Sequence, residues 1–391
     1  MGTGISKSYE VIVIGAGSMG MSAGYHLARR GVKTLLIDAF DPPHAHGSHH
    51  GEPRLIRHAY HGGETYIRLA QRADRLWREL EALAGEPLLV RSGVLNLAPE
   101  ELVSFDERAL DAARLGVVTE LLDAAEIRKR WPGFAVPEHF RGLYEPDAGY
   151  LNSERCVAAY RKLALRAGAT LLTNTFVKDV KVTGNAFSFV ATKDDVYYAD
   201  NVIVCAGAWF QTLKPFMHMP VRSVRKCVGW FETAGPEYRA GSFPGFTLGT
   251  GEGGYYGFPD IGGAGLKIGR HDGGVEWKPG EPFLPFGDDP EDEGDLRRAL
   301  ESFLPGASGR LIRGAACKYE LSPDEHFIID AHPAYPNVLL AGGFSGHGFK
   351  FASAVGEALA DLTINRETEL DLGMFSYWRF EETRSRIDFQ I

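Results

Sequence analysis

The hexapeptide Gly15-Ala16-Gly17-Ser18-Met19-Gly20 has a glycine spacing suited to holding a pyrophosphate. The first glycine permits a tight turn, the second lets backbone N–H groups approach phosphate oxygens, and the third allows a helix to pack closely on a strand. Asp38, eighteen residues beyond Gly20, closes the next apolar run and can accept a hydrogen bond from a ribose hydroxyl. A carboxylate there suits a free 2′-hydroxyl, which points to FAD or NAD rather than NADP. Five histidines, His44, His46, His49, His50 and His58, follow within fifteen residues. They lack helical i, i+4 spacing and have Arg54 and Arg57 among them, so they read as a loop against a cofactor and no metal is expected. The two arginines suit an anion, because a guanidinium fork matches a carboxylate and keeps its charge when partly buried.

These residues need elements to position them. Residues 10–14 read as a strand, 19–30 as a helix and 33–38 as a second strand, which makes a βαβ unit. Segment 11–28 contains no Asp, Glu, Lys or Arg, but its glycines and His26 mark a strand and helix rather than a membrane span or signal region. Segment 65–84 places Tyr66, Leu69, Ala70, Ala73, Leu76, Trp77, Leu80 and Leu83 on one helix face, with Thr65 as the expected cap and Gly85-Glu86-Pro87 as the stop. A second capped helix is expected over 153–167, ended by Gly168. Period-two patterning over 169–204, with turns at Gly184-Asn185 and Asp194-Asp195, predicts a β-meander. Segments 203–209 and 337–350 each read as a buried strand entering a turn, and a helical run to 362 follows the second. Stretches 86–150 and 216–316, rich in Pro, Gly and aromatics, suit a mostly antiparallel unit. The six carboxylates in 288–295 read as a solvated loop entering a helix N-terminus.

The formal net charge is −9, which argues against a nucleic-acid partner. Apolar residues at 44% and charged residues at 24% exclude disorder as the main state. Glycine is in excess, 47 of 391 residues or about 12% against a usual ~7%, and has no collagen period. Cys156, Cys205, Cys227 and Cys317 have neither metal nor disulfide-framework spacing, so a reducing cytoplasm is the expected compartment. The tetrapeptide 388–391 does not read as an S-K-L-type peroxisomal address.

Residues 11–57, with Asp38-Ala39-Phe40-Asp41-Pro42-Pro43 and Gly47-Ser48-His49-His50-Gly51, resemble the monomeric sarcosine oxidase family, which includes N-methyltryptophan oxidase. The resemblance continues through Tyr255-Tyr256-Gly257-Phe258-Pro259, Leu266-Lys267-Ile268-Gly269-Arg270-His271 and Gly314-Ala315-Ala316-Cys317-Lys318-Tyr319. It ends with residues 324–330 and with Gly342-Gly343-Phe344-Ser345-Gly346-His347-Gly348-Phe349-Lys350.

The resemblance implies an α/β chain with a Rossmann-like FAD-binding domain made of 1–85, 151–215 and 318–391, and a mainly antiparallel-sheet substrate domain made of 86–150 and 216–317. It implies FAD joined through the sulfur of Cys317 to a ring methyl, with Arg54 and Lys350 on the substrate carboxylate. Lys267 resembles the lysine that promotes reaction with oxygen, His271 and Tyr256 resemble residues beside the substrate, and His50 and Arg57 resemble contacts of the flavin ring region. Gly207 lies in the turn that related flavoenzymes set against the cofactor, and Gly346 and Gly348 in the turn that presents donors to the reduced flavin. The implied reaction oxidises sarcosine or a similar secondary amino acid to glycine, formaldehyde and hydrogen peroxide, with O2 as acceptor, in a monomer without a membrane or nucleic-acid partner. N-methyl-L-tryptophan is the alternative substrate; an NAD-dependent dehydrogenase and a non-enzymatic nucleotide-binding module are the rival classes. Pro53, Thr247, Arg270 and Glu320 depart from the sarcosine oxidase pattern, which bears on pocket size and the preferred N-substituent.

Overall fold

Ile12, Val13, Leu35, Leu36, Val202 and Ile203 are fully buried. Strands apolar on both faces need cover on both, which is the arrangement of parallel strands between helices. The computed structural model describes residues 7–183, 187–214 and 216–380 and has this arrangement. Strand Ser8–Ile14 lies parallel between Thr34–Ile37 and Val196–Val204, with Thr170–Leu172 beyond the first and Tyr335–Gly342 beyond the second. Val196–Val204 divides one edge between two partners. Residues 196–199 pair antiparallel with Phe187–Ala191, and 202–204 pair parallel with Tyr335–Gly342.

The expected meander is therefore corrected at its start: Thr170–Leu172 joins the parallel sheet, and the antiparallel run begins at Asp179–Thr183. The Gly184-Asn185 turn and the 388–391 tetrapeptide lie outside the described residues. Helices Ser18–Ala28, Gly63–Ala84, Ser153–Arg166 and Ala352–Asn365 pack together on the sheet through buried Leu27, Trp77, Tyr160 and Val355. Thr65 is not the cap expected of it. The helix begins at Gly63 behind Gly62, without a side-chain cap, and the Thr65 hydroxyl donates to Asp371 at 3.3 Å. Leu83, placed on the buried face by its spacing, is 54% exposed in the last turn, which Gly85 closes. The helix from Ser153 likewise has no side-chain cap; the Ser153 hydroxyl donates to His49 O at 2.8 Å.

A second sheet has nine strands, antiparallel except where Gly245–Gly249 runs parallel to Val94–Pro99. Its core is aromatic, with Phe134, Phe231, Phe243 and Phe246 against Leu266, Ile268 and Leu300. The anticipated division between 317 and 318 falls inside strand Leu311–Leu321, which pairs along its length with Arg222–Phe231. A continuous ladder cannot be split there, so 318–321 stay with the nine-stranded sheet. A third sheet, absent from the sequence reading, joins Arg54–Ile56 and Leu89–Val90 to Gly149–Leu151 and so fixes the arginine segment. The acidic segment does enter a helix, Glu291–Phe303, but it is not wholly solvated. Asp292 is buried and takes both terminal nitrogens of Arg225 at 2.7 and 2.6 Å.

Candidate active site

Two clefts meet at Phe349, which lines both. The first, of about 1060 Å³, runs over the end of strand Ser8–Ile14 and the start of helix Ser18–Ala28. Gly15 has φ +88°, and a Cβ there would overlap the Cys205 carbonyl; one at Gly20 would overlap the Gly15 carbonyl. Strand, turn and helix can approach this closely only with glycine at both positions. Gly17 precedes the helix and provides no side-chain cap, so the first-turn N–H groups remain available to an anion. Asp38 accepts from Ala16 N at 2.8 Å and Phe40 N at 2.9 Å, which fixes its carboxylate at the cleft wall. Ser18, Met19 and Gly207, the last at φ +54°, complete this side. The uncapped helix end, the glycine-tight turn and the acid fit the pyrophosphate and ribose of FAD.

The second cleft, of about 860 Å³, brings together Arg54, Arg57, Tyr256, His271, Gly346 and Lys350 from four separate segments. Gly346 has φ +75°, and a Cβ there would overlap the Tyr319 ring, which explains the need for glycine in this turn. Burial and the nearby cations Lys226, Arg57 and Lys350 lower the His271 pKa to about 4, so its ring is neutral at pH 7. Burial raises Tyr256 to about 12, and the Tyr319 hydroxyl donates to Tyr256 Oη at 3.4 Å. Lys350 Nζ donates to His347 O at 2.7 Å and lies 5.1 Å from the centre of the Tyr60 ring. Burial, then the charge of Arg57, holds its pKa well below the lysine value.

Arg54 lines this cleft, but its fork is already engaged. Nη1 donates to Gly51 O and Pro53 O at 2.7 and 2.9 Å, and Nη2 to Ser48 O and His50 O at 2.8 and 2.6 Å. Arg57 donates to Asn96 Oδ1 at 2.9 Å and stacks 4.7 Å over Tyr60.

Other expected site residues stand behind the cleft walls. Lys267 is 1% exposed, with Nζ donating to Gly51 O and Pro53 O at 2.7 and 3.2 Å. Cys317 is buried opposite Lys226 in the ladder; burial raises its thiol pKa against the opposing pull of Arg54, Lys267, Lys226 and Lys318. His50 pairs with Glu154 at 2.8 Å, and Gly348 packs on Phe344. Among the described residues no group of three His, Cys, Asp or Glu side chains could hold a metal ion. Among the described residues, too, no helix is long and apolar enough to cross a membrane.

Sequence reasoning missed Asn96, whose Oδ1 accepts from both Arg57 and Thr247 at 2.9 Å and ties two walls of the second cleft together. A lone Asn in an otherwise apolar strand, Val94–Pro99, was the available signal. It also missed His61 and His347 as lining residues.

Residues 10–362 match the family model described as FAD dependent oxidoreductase. The chain is 47% identical over 376 residues to the monomeric sarcosine oxidase of Bacillus sp. (strain B-0618), covering 95% of this chain and 96% of that one. It is 43% identical over 376 residues to the N-methyl-L-tryptophan oxidase of Escherichia coli (strain K12 / DH10B), covering 95% and 100%. The fold is similar to that of glycine oxidase from Geobacillus kaustophilus, with TM-score 0.80 at 20% identity and coverage of 95% and 98%.

Proposed function

Because the chain belongs to the FAD-dependent oxidoreductase family, we propose that it oxidatively demethylates sarcosine and similar secondary amino acids. The observation that carries this reading is the second cleft, where cationic Arg54, Arg57 and Lys350 face aromatic walls beside the cofactor-sized first cleft. FAD bound there supplies a two-electron acceptor for the substrate C–H bond. The net reaction converts sarcosine, O2 and water to glycine, formaldehyde and hydrogen peroxide.

Lys350 holds the substrate carboxylate, with donors beyond the one given to His347. Arg54 joins it by exchanging loop carbonyls for carboxylate oxygens, a stronger charge-assisted pairing. Neutral His271 and the un-ionised Tyr256 phenol form the wall beside the methyl group and add no charge that would compete with the carboxylate site. Lys267 supplies positive potential for the oxygen-dependent half of the cycle. Cys317 is the attachment point for FAD; Arg54, Lys267, Lys226 and Lys318 pull its thiol toward ionisation, against the larger effect of burial, which leaves its pKa raised. No side chain needs to act as a strong base if the amine binds neutral. The working unit is a monomer in the cytoplasm, with Cys156, Cys205 and Cys227 as free thiols.

N-methyl-L-tryptophan is the second reading, supported by the 43% identity to the N-methyl-L-tryptophan oxidase. Measuring formaldehyde and peroxide from each amine decides between them. Equimolar products with sarcosine support the first reading, turnover of N-methyl-L-tryptophan alone supports the second, and no product from either rejects both.

A further inference from the structure

Glu320 sits in strand Leu311–Leu321, three residues beyond Cys317, and is 6% exposed. Its side chain forms part of the first cleft wall beside Gly15, Cys205 and Phe344. The backbone N–H groups of Phe344 and Gly343 lie near enough to the carboxyl group to lower its pKa, yet Oε2 is buried with no hydrogen-bond partner in the protein. Buried polar atoms in native proteins are almost always paired, and an isolated one beside a ligand cleft points to a partner in the ligand. We infer that Glu320 is a cofactor-binding residue, whose unpartnered carboxyl oxygen in the first cleft wall would pair with a polar atom of FAD. The inference rests on the first cleft being the FAD site.

The protonation state follows from the surroundings. Burial raises the carboxyl pKa to about 8, only partly opposed by the two backbone N–H groups. Cys205, on the adjoining strand-to-turn element, is the titratable neighbour that senses its charge, and burial keeps that thiol un-ionised. Asp38, His44, His46 and His49 border the same cleft, and burial lowers the pKa of His46 and His49 so that neither supplies a cation at pH 7. A carboxylate here would set an uncompensated negative charge beside an anionic dinucleotide, whereas the acid form offers a donor.

The test compares purified holoenzyme with Glu320→Gln and Glu320→Leu, reading visible absorption and circular dichroism of the bound flavin between about pH 6 and 10. The parent should show a spectral transition at or above about pH 8 as the acid ionises. Glu320→Gln keeps a donor that cannot ionise, so it should retain the low-pH spectrum and lose the transition. Glu320→Leu lacks the donor and should differ from the parent at every pH. A transition that persists in Glu320→Gln, or a Glu320→Leu spectrum that coincides with the parent's, overturns the inference. If Glu320→Leu does not fold, the Gln comparison decides alone. Parent protein purified without any flavin would instead overturn the FAD reading, and the inference with it.

Discussion

Lys267 and Arg54 donate to the same two backbone oxygens, those of Gly51 and Pro53: Lys267 Nζ at 2.7 and 3.2 Å, Arg54 Nη1 at 2.7 and 2.9 Å. The shared carbonyls hold a buried cation behind the cleft and a second one at its wall through one short loop. The Arg54 charge also makes Lys267 harder to keep protonated.

Burial, then the charge of Arg54, places the Lys267 pKa well below 10.5. Its charge is present below that lowered value and lost as pH rises through it. The oxygen-dependent half-reaction should therefore slow with rising pH, with a midpoint below 10.5. Lys267→Met should slow that half-reaction roughly 10²–10³-fold at neutral pH and abolish its pH dependence, while reduction by the amine persists. Separate stopped-flow measurements of the two halves check this, and equal losses in both would contradict it.

Lys350 is a buried lysine lining the second cleft, and the hydrogen bond proposed from its ammonium to the substrate carboxylate would be worth about 1.5–3 kcal/mol. Lys350→Met should therefore raise KM for sarcosine roughly 10- to 150-fold. Steady-state kinetics test the assignment; a fall in kcat with KM unchanged would remove Lys350 from carboxylate binding.

Cys317→Ala should release the flavin when the protein is denatured and passed over a sizing column, whereas flavin absorbance should stay with the parent polypeptide. Release of all colour from the parent would end the proposal of attachment at Cys317.

The dinucleotide half of the molecule was legible because its demands are local. Gly15, Gly20 and Asp38 each answer one backbone or ribose requirement; Gly15 and Asp38 line one cleft, and Gly20 packs against the Gly15 carbonyl behind it. Apart from Arg54 and Arg57, read as anion-binding from their chemistry, the second cleft was legible only through family resemblance. Tyr256, His271 and Lys350 come from distant segments, and no spacing rule relates them. Asn96 and the engagement of Arg54 with four carbonyls were not legible at all, because both depend on how the third sheet and the 48–53 loop meet the nine-stranded sheet. Thr65 failed as a cap because Gly62 and Gly63, both at positive φ, let the helix begin two residues earlier.

His26 lies in helix Ser18–Ala28 with both ring nitrogens buried and unpartnered, and burial followed by the charge of Arg29 lowers its pKa to about 3. Between that value and the unfolded 6.5, the unfolded chain binds a proton that the folded one refuses. Stability is full above about 6.5 and falls as pH drops, by about 2 kcal/mol at pH 5 from this group. His26→Leu should lose less stability than the parent between pH 7 and pH 5 by about that amount. Urea titrations at the two pH values test it, and an identical loss in both proteins would contradict it.

The central claim, that this chain passes electrons from a small secondary amino acid to its flavin, is tested most directly by mixing the purified protein with sarcosine without oxygen and following flavin absorbance. The account predicts bleaching of the oxidised flavin band, with one formaldehyde formed per flavin. A flavin that stays oxidised in saturating sarcosine and in N-methyl-L-tryptophan would contradict it.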